Sequence, residues 1–98
     1  MDLQRVVGFD WDEGNARKNE KHGVAQSESE QVFFDPRLLL VADSGHSGGE
    51  TRFHALGVTI AVRRLHVTFT LRINRTRIQV ISARDMHRKG RQIYDRKD

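Results

Sequence analysis

The segment VRRLHVTFTLRI, residues 62–73, decides the fold because its apolar and polar side chains alternate. A period of two is typical of a β-strand that is buried on one face and exposed on the other. The predicted buried face is formed by Leu65, Val67, Phe69, Leu71 and Ile73. The predicted opposite face is formed by His66, Thr68, Thr70 and Arg72. The chain is therefore expected to contain a sheet with one solvated face.

Four other segments also predict strands, and turn residues separate most of them. They are RVVGF at 5–9, RLLLVA at 37–42, TRFHALG at 51–57 and RIQVISA at 77–83. The Gly-rich loop DSGHSGGE (43–50) and the turn NRT (74–76) connect the later segments. Such short connections favour an antiparallel meander of the last four strands.

Three helices are predicted from their start and stop signals. They run from Asp12 to His22, from a capping box of Ser27 and Glu30 to Asp35, and from Asp85 to Lys97. Gly23 and Pro36 follow the first two helices, as residues that stop helices do. The predicted fold class is α+β. It is a single compact domain, residues 1–98, with an antiparallel β-sheet, two N-terminal helices and one C-terminal helix.

The composition excludes several classes of protein. The chain has no cysteine, so disulfides, thiolate zinc sites and cysteine nucleophiles are excluded. No apolar run approaches the ~20 residues needed to span a membrane, and the first residues do not form a secretory signal. We therefore expect a cytoplasmic protein without a membrane partner.

The two halves of the chain differ in charge. From residue 51 to residue 98 there are three acidic residues against twelve Lys and Arg. A basic C-terminal half indicates a polyanionic partner, either nucleic acid or an acidic protein, although a solvated surface would also account for it.

Alternation predicts that four of these twelve cations share one face of the sheet, counting Arg84 just beyond the last strand. That face would carry Arg52, His54, His66, Thr68, Thr70, Arg72, Arg77 and Gln79, and it would have no carboxylate. Leu56 and Ile81 interrupt the pattern. Because Arg binds phosphate bidentately and stacks on bases, the face suits RNA. We expect His54, His66 and Arg77 to contact RNA.

Two other kinds of site are not supported. GHSGG (45–49) fits Gly-x-Ser-x-Gly, but a strand and not a helix is predicted after it, so Ser47 is not expected to be a hydrolase nucleophile. The five His have no compact metal-ligand spacing. We expect neither a metal site nor a cofactor.

Several short motifs together resemble the BrnT family of toxins from type II toxin–antitoxin pairs. The motifs are FDWD (9–12), KNEKHGV (18–24), VFFDP (32–36), HSGGETRF (46–53), TLR (70–72) and RIQVISAR (77–84), followed by a basic last helix with Tyr94. The resemblance spans nearly the whole chain. It implies a RelE-like ribonuclease fold and a metal-independent endoribonuclease that inhibits translation. It also implies neutralisation by a cognate BrnA-like ribbon-helix-helix antitoxin, with DNA contacted only through that antitoxin.

The resemblance also implies the candidate catalytic residues. They are Lys21, His22, Glu50, Arg52, Arg72, Arg84 and Tyr94. Glu50 or His22 would accept a proton, the three Arg would stabilise the phosphate, and Lys21 would orient it. Structural roles are the alternatives: Lys21 and His22 could complement a helix dipole, Glu50 and Arg52 could face each other across a strand end, and Tyr94 could pack.

Two positions depart from the family pattern. Leu71 stands where an acidic residue is more usual, and Gly90 interrupts the last helix. The alternative function is therefore a non-catalytic module that binds RNA or an acidic protein through the basic face. A DNA-binding regulator is a weaker alternative because no helix-turn-helix pattern is present.

Overall fold

The computed structural model describes residues 3–11, 22–43 and 51–96. The strands are β1 (Gly8–Phe9), β2 (Leu39–Ala42), β3 (Phe53–Val58), β4 (Arg64–Arg72) and β5 (Arg77–Asp85). The helices are α1 (Gln26–Val32), between β1 and β2, and α2 (Arg88–Asp95), after β5. Neither helix is long and apolar enough to cross a membrane, and no other helix occurs in the described ranges.

The five strands form one sheet in the order β1-β5-β4-β3-β2. Strands β2 to β5 are the predicted antiparallel meander. Strand β1 adds to the free edge of β5 in parallel, through Gly8 opposite Arg77 and Phe9 opposite Ile78. The sheet is therefore mixed.

The predicted fold class of an antiparallel sheet with two N-terminal helices and one C-terminal helix was wrong. The described chain has a mixed sheet with one short mid-chain helix and one C-terminal helix. A strand of two residues is too short to show a period, so the sequence could not predict that β1 lies at the edge of the sheet or that it runs parallel to β5. Residues 12–21 of the predicted first helix lie outside the described residues, and its last residue, His22, lies in a turn.

Helix α1 begins earlier than its predicted capping box. Ala25 is the residue before the first turn, and its N–H donates a 2.9 Å hydrogen bond to Oε1 of Glu28. Only this half of a capping box forms, because an alanine side chain has no oxygen to accept from the helix. Ser27 lies inside the first turn, and Glu30 instead accepts a 2.8 Å bond from the indole N–H of Trp11.

Helix α2 begins later than predicted. Asp85 does not cap it, because Asp85 extends β5 opposite Leu65 and its Oδ1 accepts a 2.8 Å bond from Nε of Arg63. His87 takes the position before the first turn. A tertiary ion pair thus accounts for a helix start two residues later than predicted.

The main core lies between α1 and the inner face of the sheet. Val32 of α1 and Leu65, Val67 and Phe69 of β4 are fully buried there. The Phe33 ring meets the Phe69 ring edge to face with centroids 5.0 Å apart. Burying each such side chain contributes about 1.5–3 kcal/mol, which is why the alternating segment 62–73 organises the domain.

One glycine sets the distance between α1 and the sheet. A Cβ at Gly57 would lie 2.9 Å from Cγ1 and 3.0 Å from the carbonyl oxygen of Val32. Real Cβ atoms do not approach other atoms this closely, so only glycine lets the helix backbone reach β3.

A β-bulge corrects the side-chain alternation in β5. Thr68 pairs with Ser82 but the next residue, Phe69, pairs with Val80, so Ile81 is left without a partner residue on β4. The alternation therefore resumes one residue later. This is the physical reason why Ile81 interrupts the polar pattern in the sequence.

Candidate functional site

The register of the sheet places the predicted polar residues on its outer face, away from α1. His54 lies opposite Thr68, and Leu56 lies opposite His66. On the other side of β4, the pairs are His66 with Arg84, Thr68 with Ser82, Thr70 with Gln79 and Arg72 with Arg77. Arg84 joins this face because of the bulge.

Two histidines on this face bind each other. Nε2 of His66 lies 2.9 Å from Nδ1 of His54, and the rings meet edge to face with centroids 4.9 Å apart. The Thr68 hydroxyl lies 3.1 Å from the same Nδ1. On its other side, Nε2 of His54 lies 3.4 Å from Oδ2 of Asp43. Adjacent strands thus align a carboxylate and two imidazoles.

The surroundings keep His66 neutral at pH 7. Burial is the main cause, followed by the positive charges of His54, Arg84 and His87, and together they lower the pKa of His66 to about 4. A group that is partly desolvated beside cations cannot easily accept another positive charge.

A groove of about 280 Å³ opens beside the two histidines. Its apolar lining comes from Val41, Leu56, Gly90 and Ile93, and its polar lining from His54, His66, Arg84, His87 and Lys89. No carboxylate belongs to the groove lining in the described part of the chain. The groove therefore combines an apolar surface with a cationic rim.

Helix α2 forms one wall of the groove because it packs on the outer face. Leu56, Met86 and Tyr94 form a small second core there, with Leu39 packed against it. Leu56 interrupts the polar pattern of β3 because it is the contact point for this helix. Only the packing of α2 brings His87 and Lys89 next to the histidines.

The predicted site residues fall into separate groups. His54, His66 and Arg84 come together at the groove. Arg72 and Arg77 pair at the other end of β4, six residues from His66, which is about 20 Å at a strand rise of ~3.3 Å per residue. Nε of Arg72 donates a 2.6 Å bond to Oε1 of the neighbouring Gln79.

Three other predicted residues do not lie in the groove. Arg52 directly precedes β3, and its carbonyl accepts a 3.0 Å bond from the N–H of Asp43. His22 is exposed in the turn before α1. Tyr94 is the buried residue of α2, and its hydroxyl donates a 2.5 Å bond to Oδ2 of Asp35. Lys21 and Glu50 lie outside the described residues.

Three residues at the site were not predicted from the sequence to be site residues. Asp43 follows an apolar strand and looked like part of a polar loop. The sequence assigns His87 and Lys89 only to the basic last helix. The usable signal for Asp43 was its place at the end of β2, where it continues the alternation of Leu39 and Val41 on the outer face.

One cation of the basic half is structural. Arg63 binds Asp85 through Nε and Glu28 through Nη1, at 2.8 and 3.1 Å, and its Nη1 also donates to the carbonyl of Gly23 at 2.8 Å. The bond to Asp85 raises the pKa of Arg63, burial opposes the rise, and Glu28 adds to it. Arg63 therefore joins the α1 segment to β5 and is not directed to a ligand.

In the described ranges, no group of three or more His, Asp or Glu side chains could hold a metal ion. No curated protein gave a significant match to the chain. Residues 11–90 match the family model described as ribonuclease toxin, BrnT, of type II toxin–antitoxin system. This match covers most of the chain, so the chain belongs to the BrnT family of ribonuclease toxins.

Proposed function

We propose that this member of the BrnT family is a metal-independent endoribonuclease that cleaves RNA in the outer groove and so inhibits translation. The observation that carries the proposal is the hydrogen-bonded pair of His54 and His66 beside Arg84, at 2.9 Å between the ring nitrogens. Family membership supplies the ribonuclease class, and the groove geometry supports the position.

The chemistry requires groups that this groove holds. RNA is cleaved without a metal when a base takes the proton of a ribose 2′-hydroxyl and cations stabilise the charge on the phosphate. A neutral imidazole can serve as the base, and His66 is neutral at pH 7. Arg84 and Lys89 are the cations placed to bind the phosphate.

The shape of the groove suits one unstacked nucleotide. Its apolar lining by Leu56, Val41 and Ile93 offers a surface for a base or a ribose, while the cations remain at the rim. Single-stranded RNA is recognised in this way, because its bases can leave the stack and contact apolar side chains. We therefore propose a single-stranded RNA substrate.

The residues outside the groove have proposed roles along the RNA. Arg72 and Arg77 would bind phosphates next to the cleaved one, since they lie farther along the same face. Arg52, which directly precedes β3, would bind another. Glu50 remains the alternative proton acceptor because it stands two residues before Arg52 in the chain. Lys21 and His22 would contact the RNA backbone.

Regulation is proposed from the family. Type II toxins are paired with antitoxins, so we propose that a cognate BrnA-like ribbon-helix-helix antitoxin neutralises this chain and contacts DNA on behalf of the complex. We propose that the chain acts in the cytoplasm, where its proposed RNA substrate would be. Growth should stop when the chain is expressed alone and should resume when the antitoxin is expressed with it.

The test uses the purified chain, freed of any partner, and total RNA in excess EDTA. We expect wild type to cleave, and Arg84→Ala to cleave about 100-fold more slowly because it loses one cation aimed at the phosphate. Arg91→Ala is the matched control, since Arg91 is exposed on α2 but does not line the groove. Equal rates for the two folded variants would place the site elsewhere, and Glu50→Ala and Arg52→Ala would then locate it.

A specific observation favours the alternative of a binding module. Tyr94, which the resemblance implies to be catalytic, is buried and bound to Asp35, and Leu71 packs against the main core where the family more often has an acid. RNA that binds to wild type in EDTA but stays uncut would support this alternative and contradict the ribonuclease proposal.

A further inference from the structure

We propose that Asp43, His54 and His66 form a proton relay in which His66 accepts the proton of the RNA 2′-hydroxyl and passes charge to His54. This inference rests on the proposed ribonuclease function and deepens it. Its geometric basis is the row of contacts from Oδ2 of Asp43 to His54 at 3.4 Å and from His54 to His66 at 2.9 Å.

The carboxylate fixes where the hydrogen of neutral His54 lies. An ionised carboxylate only accepts hydrogen bonds, so the ring nitrogen facing Asp43, Nε2, carries the hydrogen. Nδ1 of His54 then has a lone pair, and it accepts the hydrogen on Nε2 of His66. The hydroxyl of Thr68, 3.1 Å from Nδ1, holds the ring in this orientation.

The same contacts leave His66 with one nitrogen for a ligand. His66 lines the groove and its Nε2 faces His54, so Nδ1 is the nitrogen that remains for the ribose. His66 itself is a poor place for positive charge, because it is desolvated and Arg84 and His87 lie near it. His54 has the Asp43 carboxylate 3.4 Å from its Nε2, so a positive charge passed to it would lie beside an opposite charge.

The groups that face the relay come from every neighbouring element. Asp43 follows β2, Arg52 precedes β3 and lies next to Asp43 in the ladder, His54 belongs to β3, Arg84 belongs to β5, and His87 and Lys89 come from the start of α2. Five of these are cations or potential cations, and Asp43 is the one carboxylate among them. This distribution of charge drives the proton from the groove towards Asp43.

In the proposed step, every bond formed and every proton moved has a matching bond broken or proton returned. The 2′-oxygen forms a bond to phosphorus while its proton moves to Nδ1 of His66, and the hydrogen on Nε2 of His66 moves to Nδ1 of His54. The bond between phosphorus and the 5′-oxygen breaks, and that oxygen takes a proton from water. The products are a 2′,3′-cyclic phosphate and a 5′-hydroxyl. The hydroxide left by the water takes the proton from Nδ1 of His66, and the proton on Nδ1 of His54 returns to Nε2 of His66. This restores the resting state.

The relay predicts distinct effects of its members. His66→Gln keeps a hydrogen-bond donor but cannot pass a proton, so cleavage should fall about 100-fold, as expected for loss of a general base. Asp43 is a positioning residue that acts through His54. Asp43→Ala should therefore slow cleavage at least about tenfold and change the pH dependence of the rate, since it removes the charge that stabilises protonated His54. Asp95→Ala is the matched control, because Asp95 pairs with Arg64 at 3.2 Å and does not line the groove.

The experiment measures cleavage of single-stranded RNA in EDTA across pH and records ring-nitrogen NMR spectra of the free proteins. We expect His54 of wild type to carry its hydrogen on Nε2, and Asp43→Ala to show a mixture of tautomers. If wild type does not cleave, the proposed function fails and the relay fails with it. If wild type cleaves but folded His66→Gln cleaves equally well, only the relay is overturned. A wild-type His54 with its hydrogen on Nδ1, or with both nitrogens protonated at the pH of cleavage, also overturns the relay.

Discussion

The hydroxyl of Tyr94 donates a 2.5 Å hydrogen bond to Oδ2 of Asp35 and so joins α2 to the end of the α1 segment. Asp35 also accepts 2.9 Å bonds from the backbone N–H groups of Val58 and Arg37. One carboxylate therefore connects both helices with β3. The contact fixes α2 on the outer face and thereby positions the wall of the groove.

Tyr94→Phe should lower the free energy of unfolding by about 1–2 kcal/mol, because it removes a hydrogen bond to a charged group and keeps the ring. Urea unfolding measures this change. Cleavage of RNA should stay within about threefold of wild type, since the hydroxyl is buried against Asp35 and not in the groove. A variant of unchanged stability that has lost cleavage would show instead that the hydroxyl acts on RNA.

Stability should fall at alkaline pH because of the same residue. Burial, followed by the hydrogen bond and charge of Asp35, raises the pKa of Tyr94 to about 12 from its ordinary 10.0. The unfolded chain then loses this proton at lower pH than the folded chain, so the free energy of unfolding decreases as pH rises from about 10 to 12. The difference between wild type and Tyr94→Phe, measured by urea unfolding along this range, isolates the effect. A difference that does not change with pH would contradict it.

Arg63→Lys should destabilise the fold by about 1–2 kcal/mol, because a lysine cannot bind Asp85, Glu28 and a backbone carbonyl at once. Arg64→Lys is the control. Its side chain pairs with Asp95 in the described part of the chain and both side chains are about half exposed, so the change should be close to zero. Thermal unfolding of the two variants gives the comparison, and equal midpoints would refute the structural role of Arg63.

Acid should weaken the same ion pairs. The bond from Arg63 lowers the pKa of Asp85, and the N–H of Ala25 with Arg63 lowers the pKa of Glu28 despite burial. A lowered folded-state pKa gives stability that is present above the unfolded value, about 4, and is lost as pH falls below it. Urea unfolding of wild type and Arg63→Lys should therefore converge in acid, and a constant gap down to the lowest pH would contradict this.

Gly90→Ala should stabilise the protein by about 1 kcal/mol, because glycine is a poor helix former. A Cβ at this position would lie 3.7 Å from Cβ of Met86 and 3.8 Å from Cδ2 of Leu56, which are ordinary contacts. Gly57→Ala is the opposite control and should cost about 1–3 kcal/mol, since its Cβ would collide with Val32. Chemical unfolding of both variants tests whether the free energy of unfolding rises in Gly90→Ala and falls in Gly57→Ala. Loss of stability in Gly90→Ala would show that the glycine is needed in α2.

The element boundaries show where local signals were overridden. The helix predicted to open at Ser27 and Glu30 begins at Gln26, because Glu28 bonds Ala25 and Arg63. The helix predicted after Asp85 begins at Arg88, because Asp85 serves as a partner of Arg63 in β5. The start of α1 combines a local bond from Ala25 to Glu28 with the distant Arg63. The start of α2 depends on the bond between Asp85 and the distant Arg63, which no short segment reveals.

The sequence predicted part of the site, namely the residues that follow a local alternation. Alternation placed His54, His66 and Arg77 on one face, and the register confirms that face. Arg84 was counted with this face as a residue just beyond the predicted strand, and the register places it there. The bulge at Ile81 that brings it there was not predicted, because it depends on how β4 and β5 pair. The sequence also did not predict the contact between Asp43 and His54, because the register between β2 and β3 brings these residues together.

By itself, the sequence determined the meander of four strands, the polar outer face, the basic C-terminal half and the family. Each of these depends on a local period, on composition or on short motifs that a linear chain carries. Only the tertiary structure decided which polar groups meet. The Asp43–His54–His66 row needs the strand register, and the groove needs α2 to pack on Leu56. These contacts depend on packing between segments far apart in sequence, and the free energy that selects them is shared by the whole core.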